Sequence, residues 1–463
     1  MSEEQRWDLV VVGAGPAGYV GAVRAAQLGA RVAVIDESHV GGTCLNRGCI
    51  PTKALAATAE VLSTVRRAGE FGIEVGEVRI DFSKAMARQR QVVERLRRGI
   101  LFLFKKHGVT LFTGKARFLD PHRLAVVEAT GSESVLVADR VLVATGSRPA
   151  VPPLFGWDGE QVITSDEALA LPALPQSLLI LGGGVIGCEF ASFFATLGTK
   201  VTVLELMPSI LPLLDREVAG VIHSALKKKG VVIQTGVKAV AVDKGPAGVS
   251  LTLEGGAVLE AERLLVSIGR RANTEGLGLE AAGVVLTGRG EIAVDARLRT
   301  NQPHIAAAGD VTAGRFKLAH VASHEALAAV ESLLGREAHL DYLAVPGVVF
   351  TSPEAAGVGL TEEEARAEAE QRGEQLRVGK FSFVASGKAL AGGEYEGFVK
   401  VLAGGGGRLY GVHIVGPHAS DLLPEAVLAL QSGLGLDALI HAIHAHPTLS
   451  EAVWEAATAA REG

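Results

Sequence analysis

Two glycine-rich turns of the same design, beginning at Gly13 and at Gly182, constrain the fold of this chain most strongly. Each follows a run of branched aliphatic residues and precedes an apolar stretch of helical length. A second aliphatic run then ends in an acid, Asp36 in one case and Glu205 in the other. Aliphatic runs without polar alternation are typical of parallel strands that are covered on both faces. The sequence therefore predicts two βαβ motifs that bind dinucleotides.

The three glycines of each turn have different physical roles. The first permits a tight turn, the second lets backbone amides approach a pyrophosphate, and the third lets the helix pack against the strand. The phosphates then lie at the positive N-terminus of the helix. The residues predicted to contact the nucleotides are Gly13, Gly15, Pro16, Ala17 and Gly18 in the first turn and Gly182, Gly184, Val185, Ile186 and Gly187 in the second.

The acid at the end of each second strand indicates the kind of nucleotide. A carboxylate there accepts hydrogen bonds from the ribose 2′-hydroxyl and repels a 2′-phosphate. After Glu205 come Leu206 and Met207, which offer no cation for such a phosphate. The second motif is therefore predicted to bind NAD rather than NADP.

The 463 residues are too many for a single core and predict about three domains. Prolines at 149, 152 and 153 indicate a boundary before the second motif. An amphipathic stretch over 82–107 predicts a long helix. After about Pro346, strands predicted over 348–351, 398–402 and 409–415 and a helix near 422–430 indicate an α+β domain with no glycine turn of its own.

Charge and hydropathy exclude some partners and compartments. The net charge is −6, and no broad basic face is evident, so a nucleic-acid partner is not expected. No apolar run is long enough to span a bilayer, and no membrane partner is expected. The first strand begins near residue 8 with no basic or apolar leader before it, so a cytoplasmic protein is predicted.

Cys44 and Cys49 form the most reactive pattern in the chain. With only three cysteines present, the pair is more typical of redox chemistry than of a structural framework. A disulfide requires Cα atoms about 4.4–6.8 Å apart, whereas five residues of regular helix rise about 7.5 Å. A helix over this stretch must therefore be distorted, which Gly48 and Pro51 make easy. A nearby helix N-terminus would lower a thiol pKa. Cys188 is expected to be a packing residue.

A disulfide beside a dinucleotide predicts a flavin, because flavins exchange electrons with thiolates and with hydride donors. Gly309 and Asp310 end an apolar run and set a carboxylate where it could bind a ribityl chain. A helix predicted to begin at 318–320 could direct its positive end at the flavin N1–C2=O edge. These features together predict FAD at the first motif, with no metal required.

Thiol–disulfide exchange also needs a proton acceptor. His446 is followed by Pro447, which restricts the backbone, and by Glu451, which could orient the imidazole and stabilise its cation. We therefore expect His446 to be the base.

The runs around Cys44–Cys49 and from His446 to Glu451 resemble those of class I pyridine nucleotide–disulfide oxidoreductases, and within that family the dihydrolipoamide dehydrogenases. The resemblance extends from about Leu9 to Glu451. It implies an α/β fold with two Rossmann-like dinucleotide-binding domains and an α+β dimerisation domain. The boundaries predicted on this basis are an FAD-binding domain with a central part at 1–149 and 274–346, an NAD-binding domain at 150–273 and an interface domain at 347–463.

The resemblance also implies the roles of individual residues. Cys44 would be the interchange thiol that attacks the dithiolane, and Cys49 the thiolate that touches the flavin. Lys53 and Glu189 would form an ion pair beside the isoalloxazine. The other positions that it assigns are Gly42, Thr43, Lys53, Gly114, Thr145, Gly146, Ser147, Gly309, Asp310, Leu318, Ala319 and His320 for FAD, and Glu189 and Gly269 for NAD.

The partners implied are a second copy of the chain, whose His446 and Glu451 reach the disulfide of the first, and lipoyl-bearing domains of multienzyme complexes. Either a 2-oxoacid dehydrogenase or a glycine cleavage complex would supply the lipoyl group, and the subunit-binding domain of an E2 component would hold the dimer. Dihydrolipoamide would then reduce the disulfide, with electrons passing through FAD to NAD.

Three alternatives remain open. A glutathione reductase would have cations after the second acid and a Ser-Ser pair where Leu449-Ser450 stand. A mercuric reductase would carry a C-terminal cysteine pair, where this sequence ends Ala460-Arg461-Glu462-Gly463. A non-catalytic flavoprotein subunit is the alternative of another class.

Overall fold

The computed structural model describes residues 5–314, 316–338 and 340–462. The chain divides into two compact units, each assembled from three segments. The first unit takes in Met1–Ala54, Ser83–Ala150 and Gly269–Leu340, and the second takes in Leu55–Phe82, Val151–Ile268 and Asp341–Gly463. Among the described helices, none is both long and apolar enough to cross a membrane.

The helices in chain order are α1 (Pro16–Gln27), α2 (Gly42–Arg47), α3 (Cys49–Arg66), α4 (Phe82–His107), α5 (Ser165–Ala168), α6 (Val185–Leu197), α7 (Arg216–Lys228), α8 (Ala319–Leu333), α9 (Glu362–Gln371), α10 (Gly387–Gly392), α11 (Ala419–Leu422), α12 (Pro424–Gln431), α13 (Leu436–His441) and α14 (Glu451–Glu462).

The strands in chain order are β1 (Gln5–Trp7), β2 (Leu9–Val12), β3 (Val32–Asp36), β4 (Thr110–Thr113), β5 (Lys115–Asp120), β6 (Arg123–Val127), β7 (Glu133–Ala138), β8 (Val141–Val143), β9 (Ser147–Pro149), β10 (Val162–Ile163), β11 (Ser177–Leu181), β12 (Lys200–Glu205), β13 (Val232–Thr235), β14 (Ala239–Gly245), β15 (Gly248–Leu253), β16 (Val258–Ala261), β17 (Arg263–Val266), β18 (Arg270–Ala272), β19 (Ile305–Ala307), β20 (Gly347–Val349), β21 (Glu354–Gly359), β22 (Leu376–Ser382), β23 (Phe398–Gly404) and β24 (Leu409–Gly416).

The first unit is built on a parallel sheet with the order β19-β8-β2-β3-β4. Alternate residues of β2 enter two separate cores, Leu9 and Val11 on one face and Val10 and Val12 on the other. Both faces of the sheet are therefore covered, which explains the unbroken aliphatic run in this strand. A second sheet, β1-β7-β6-β5, and the antiparallel pair β9–β18 complete the unit.

The second unit repeats this plan in a parallel sheet with the order β10-β17-β11-β12-β13. In both sheets the strand before the glycine turn lies beside the strand that ends in the acid. The unit also contains the small antiparallel sheet β14-β15-β16 and the antiparallel sheet β20-β21-β24-β23-β22, against which α14 packs. The predicted α/β fold with a duplicated nucleotide-binding motif and an α+β part is confirmed.

Within the second unit, polar contacts join the residues after β11 to those after Asp341. The amide of Phe350 donates to Glu189 Oε1 at 2.9 Å, and the amide of Ser352 donates to Ser192 Oγ at 3.2 Å. Both acceptors lie on α6, the helix that follows the glycine turn of the second nucleotide-binding motif. The division into FAD-binding, NAD-binding and interface domains stays a prediction.

Candidate active site

The two glycine turns have matching backbone geometry. Gly13 has a φ of 97° and Gly182 a φ of 109°, in the left-handed region that favours glycine. A Cβ at Gly18 would collide with the Gly13 carbonyl, and one at Gly187 would collide with the Gly182 carbonyl. Each helix therefore packs directly against its turn, and a side chain at Gly18 or Gly187 would collide with the backbone of that turn.

The helices after the turns begin with their first amides open to an anion. Gly15 is the N-cap of α1 and Gly184 is the N-cap of α6, and both have extended backbone. Among the described residues, no side chain caps either helix start. Because the first amides of a helix lack partners within the helix, they can bind phosphate oxygens. Both turns thus fit a pyrophosphate.

Asp36 and Glu205 occupy equivalent positions in the two motifs, and each accepts a hydrogen bond from the backbone of its glycine turn. Asp36 Oδ2 accepts from the amide of Ala14 at 2.7 Å, and Glu205 Oε2 accepts from the amide of Gly183 at 2.6 Å. In both acids the other oxygen accepts from the amide two residues further along, at 2.9 and 2.7 Å. A carboxylate has about four acceptor sites, so each acid can also bind a ribose hydroxyl. This contact between each acid and the backbone of its turn was not predicted from the sequence.

The dithiol lies at a break between two helices. α2 ends at Arg47, and α3 begins at Cys49, with Gly48 between them in a non-helical conformation. The interruption that the cysteine spacing required is therefore present. A side-chain hydrogen bond with Cys49, together with burial, raises the pKa of the Cys44 thiol. The expected lowering of a thiol pKa is thus wrong for Cys44, which lies inside α2, whereas Cys49 is the first residue of α3.

Several contacts fix the cysteine segment to the first glycine turn. The amide of Gly41 donates to the Ala14 carbonyl at 2.7 Å, and a Cβ at Gly42 would meet the Cα of Gly15 at 2.5 Å. Asn46 Nδ2 donates to three main-chain carbonyls at 2.9–3.3 Å. Arg97 Nη2 on α4 donates to Asn46 Oδ1 at 2.7 Å. Asn46 and Arg97 are far apart in the chain, and neither was predicted from the sequence.

Asp310 is part of a polar cluster beside the first turn. Ser147 Oγ donates to Asp310 Oδ2 at 2.5 Å, and Arg270 Nε donates to Ser147 Oγ at 2.7 Å. Arg270 also pairs with Asp310 at 3.7 Å. The amide of Gly309 donates to Oε2 of Glu325, a buried acid on α8, at 2.7 Å. Arg270 and Glu325 were not predicted from the sequence. For Glu325, an acid within a largely apolar helical stretch was the available signal.

The remaining predicted FAD positions lie near this cluster or at strand ends. Thr145 Oγ1 donates to the Asn273 carbonyl at 2.7 Å, and Gly146 has a φ of 66°. The amide of Gly114 donates to the Asp36 carbonyl at 2.9 Å. The predicted helix start at 318–320 is confirmed, because α8 begins at Ala319 after an extended Leu318, and His320 is exposed.

Three further predicted residues have defined surroundings. The charge of Lys53 acts on Cys44 and opposes the rise of its pKa. Glu189 is 5% exposed and accepts the Phe350 amide described above. Gly269 has a φ of 135° and directly precedes β18. The Lys53–Glu189 ion pair and the nucleotide contacts of these residues stay predictions.

His446 is exposed and oriented by one carboxylate. Its Nδ1 lies 2.8 Å from Oε1 of Glu451, the first residue of α14. A hydrogen bond from the Thr448 amide and the contact with His446 lower the pKa of Glu451. A donor Nδ1–H leaves the lone pair on Nε2, so this nitrogen can accept a proton.

Cys188 is fully buried in α6, and its Sγ donates to the Gly183 carbonyl at 3.3 Å. Burial raises the pKa of this thiol to about 12. The prediction that Cys188 is a packing residue is confirmed.

Comparison with known families and proteins gives one consistent result. Residues 7–326 match the model of the pyridine nucleotide-disulphide oxidoreductases, and residues 345–457 match that of their dimerisation domain. A dihydrolipoyl dehydrogenase of Bacillus subtilis is 45% identical and covers 98% of both chains. One from Thermus scotoductus is 44% identical and covers 98% of this chain and 97% of its own.

Solved structures give the same fold. LpdA from Mycobacterium tuberculosis is 31% identical, with a TM-score of 0.91 over 98% of this chain and 99% of its own. The flavoprotein disulfide reductase RclA from Escherichia coli is also 31% identical, with a TM-score of 0.87 over 97% of this chain and 99% of its own.

Proposed function

The chain belongs to the pyridine nucleotide-disulphide oxidoreductases, and we propose that within this family it oxidises protein-bound dihydrolipoamide to lipoamide with NAD. The full-length relatives at 45% and 44% identity bear the name dihydrolipoyl dehydrogenase. The observation that carries the proposal is the Cys44–Cys49 contact at the helix break, which the Gly41–Ala14 hydrogen bond holds beside the first glycine turn.

The thiol chemistry balances within the residues described. In the oxidised enzyme, a dihydrolipoyl thiolate attacks Cys44, a new S–S bond forms to the substrate and the Cys44–Cys49 bond breaks, leaving Cys49 as thiolate. His446 takes the proton of the second substrate thiol, whose sulfur then displaces Cys44 and releases lipoamide. His446 returns this proton to Cys44, and the enzyme is left reduced by two electrons, with Cys44 as thiol and Cys49 as thiolate. When bound, FAD would accept these electrons and NAD would receive them as hydride.

The charges around the two sulfurs suit these different roles. Cys49 lies at the N-terminus of α3, where the helix dipole stabilises negative charge. Cys44 has a raised pKa, so once the substrate sulfur displaces it, it takes up the proton that the base removed from the substrate. We assign that base to His446 of the partner subunit, with Glu451 orienting its imidazole.

The cofactors are FAD and NAD, at the first and second glycine turns respectively. Gly13, Gly15 and Gly18 would hold the FAD pyrophosphate and Asp36 its ribose, with Asp310 on the ribityl chain. Gly182, Gly184 and Gly187 would hold the NAD pyrophosphate and Glu205 its ribose. Leu206 and Met207, which are 63% and 48% exposed, carry no charge, so neither would compensate the charge of a 2′-phosphate.

The match of residues 345–457 to a dimerisation domain supports a homodimer. We further propose that lipoyl domains of a multienzyme complex are the substrate, that a subunit-binding domain of that complex holds the dimer, and that the enzyme is cytoplasmic. The three domains predicted above are part of this proposal.

Two steady-state assays test the function. Purified holoenzyme should reduce NAD with dihydrolipoamide and should not oxidise NADPH with glutathione disulfide. On partial reduction, a long-wavelength thiolate–flavin absorption band should appear, and Cys49→Ser should abolish it, whereas Cys188→Ala should retain it. NADPH-dependent reduction of glutathione disulfide would favour the glutathione reductase alternative, and a flavin that NADH cannot reduce would favour a non-catalytic subunit.

A further inference from the structure

We propose that a second histidine–carboxylate pair, His444 with Glu425, positions the loop that carries His446. The proposal rests on the proposed function, because His446 is the base of that reaction. His444 would be a positioning residue that acts through the loop and does not touch the substrate.

The two histidines stand two residues apart in opposite environments. The side chain of His446 is 81% exposed, whereas that of His444 is 8% exposed. His444 Nε2 lies 2.9 Å from Oε2 of Glu425 on α12, and His444 Nδ1 lies 3.0 Å from the carbonyl oxygen of Ala442. Both ring nitrogens of His444 are therefore engaged, one with a carboxylate and one with the main chain.

These contacts determine how many protons the pair holds. The Ala442 carbonyl can only accept, so Nδ1 must carry a hydrogen. The Nε2···Oε2 contact likewise requires a hydrogen between the two atoms, because an ionised carboxylate and a bare ring nitrogen can both only accept. Both ring nitrogens of His444 are thus taken up by these contacts, whereas Nε2 of His446 can accept a proton.

Glu425 depends on His444 for the compensation of its charge. Its Oε1 is buried and has no hydrogen-bond partner among the described residues. The Glu425 side chain is 31% exposed, but loss of His444 would leave this partly buried carboxylate without its cationic partner, which is unfavourable. The contact therefore fixes the start of the 442–450 loop to α12.

The loop then transmits this position to the catalytic base. Thr448 Oγ1 donates to the Ala445 carbonyl at 2.6 Å, next to His444, and the Thr448 amide donates to Glu451 Oε2 at 2.8 Å. Glu451 in turn orients His446. The charge of His444 also contributes, after the Thr448 and His446 hydrogen bonds, to the low pKa of Glu451. The His444–Glu425 pair and the His446–Glu451 pair are thus linked through one hydrogen-bonded segment.

Three variants separate positioning from general stability. His444→Asn keeps a short amide donor but cannot reach Glu425, and Glu425→Gln keeps the shape while removing the charge. His418→Asn is the matched control, because His418 is an exposed residue of the same antiparallel-sheet region whose φ of 53° asparagine tolerates. Each variant is assayed as holoenzyme for NAD reduction by dihydrolipoamide and for NADH oxidation by a quinone, which draws electrons from the flavin without using His446.

His444→Asn and Glu425→Gln should each lower kcat/KM for dihydrolipoamide about tenfold to a hundredfold, part of the effect expected of a general base. The quinone activity and both activities of His418→Asn should stay within about twofold. Because the two residues act as one unit, the double variant should be no worse than the more impaired single variant.

Three results would contradict the proposed positioning role of His444 and Glu425. These are a parallel fall in both activities, an unchanged kcat/KM in the single variants, and effects that multiply in the double variant. Wild-type enzyme without dihydrolipoamide turnover would instead contradict the proposed function. In that case the rate at which diethyl pyrocarbonate modifies His446 tests the pair alone. The hydrogen bond to Glu451 keeps the Nε2 lone pair of His446 available to the reagent. If His444→Asn weakens that hydrogen bond, modification of His446 should be about threefold slower than in the wild type. An equal rate would contradict the positioning role of His444.

Discussion

Lys400 and Asp215 form an ion pair of 2.9 Å although each side chain is only 1% exposed. The ammonium also contacts Glu217 at 2.8 Å and Glu362 at 2.7 Å, so that each of its three hydrogens has a carboxylate acceptor. Asp215 caps the N-terminus of α7, and Lys400 lies on β23. A buried cation thus joins α7, the helix that follows the second nucleotide-binding motif, to the C-terminal antiparallel sheet within the second unit.

Lys400→Met should destabilise this unit severely. The change leaves a buried carboxylate at Asp215 without compensation, a loss worth about 3–5 kcal/mol. The melting temperature should fall by about 10 °C, measured by circular dichroism of the holoenzyme. The matched control is Lys380→Met, which removes an exposed contact of 3.0 Å to Glu217 and should cost less than about 1 kcal/mol. Equal effects of the two changes would contradict a dominant role for the buried ammonium.

The same cluster should make stability sensitive to acid. Burial is the largest single effect on the pKa of Asp215 and raises it. The hydrogen bond from Lys400, the charges of His413 and Lys400 and the hydrogen bond from the Glu362 amide together outweigh burial, so the pKa of Asp215 is lowered. The Lys400 ammonium also lowers the pKa values of Glu217 and Glu362. Carboxyls with lowered pKa stabilise the fold above their ordinary pKa values near 4 and cease to do so as pH falls through the folded values.

The melting temperature of the wild type should therefore fall steeply between about pH 5 and pH 3. In Lys400→Met the carboxylates lack their cation, so protonation relieves repulsion and the fall should be shallower. Melting curves over this pH series test the sign. Parallel curves for the two proteins would show that other groups dominate acid unfolding.

Cys49→Ala should increase the reactivity of Cys44. The hydrogen bond with Cys49 is the largest cause of the raised pKa of Cys44, and burial is the next. Without that bond the pKa should fall towards the ordinary value of about 8.5, and more thiolate should be present at mild alkaline pH. The rate of iodoacetamide alkylation at Cys44, followed against pH by mass spectrometry in a Cys188→Ala background, measures the change. A midpoint as high as in the reduced parent would assign the shift to burial alone.

Glu205→Ala should weaken the preference for NAD over NADP. The change removes a ribose acceptor and leaves the Gly183 and Met207 amides without their acceptors, a loss worth about 1–3 kcal/mol. With dihydrolipoamide as donor, kcat/KM for NAD should therefore fall about tenfold or more. NADP should be affected less, because it loses a repulsive charge as well.

Adding Leu206→Arg to that variant should raise kcat/KM for NADP, since Leu206 is exposed and the new cation can pair with a 2′-phosphate. The ratio of kcat/KM for the two nucleotides measures the effect. A ratio that stays at the wild-type value in both variants would remove Glu205 from nucleotide selection.

Local patterns were sufficient to predict much of the fold. The aliphatic runs before Gly13 and Gly182 predicted the parallel strands, because both faces of each sheet are covered. The amphipathic stretch at 82–107 coincides with α4, Phe82–His107. The C-terminal strands were predicted within a few residues, at Gly347–Val349, Phe398–Gly404 and Leu409–Gly416.

The supporting polar contacts could not be predicted in this way. Arg270 and Ser147 are 123 positions apart, and Lys400 and Asp215 are 185 apart. Such pairs leave no periodicity or motif in one sequence, because only the packing of distant elements brings them together. The raised pKa of Cys44 has a similar origin, since its direction depends on a contact between side chains and on burial.

The hydrogen bonds that the amides of Ala14 and Gly183 donate to Asp36 and Glu205 have a kinetic consequence. Each carboxylate keeps its phosphate-binding turn in one conformation before any nucleotide arrives, so that little backbone entropy remains to be lost on association. NAD and NADH can then exchange at a preformed binding site. The rate of this exchange should be set by dissociation of the nucleotide and not by ordering of the turn.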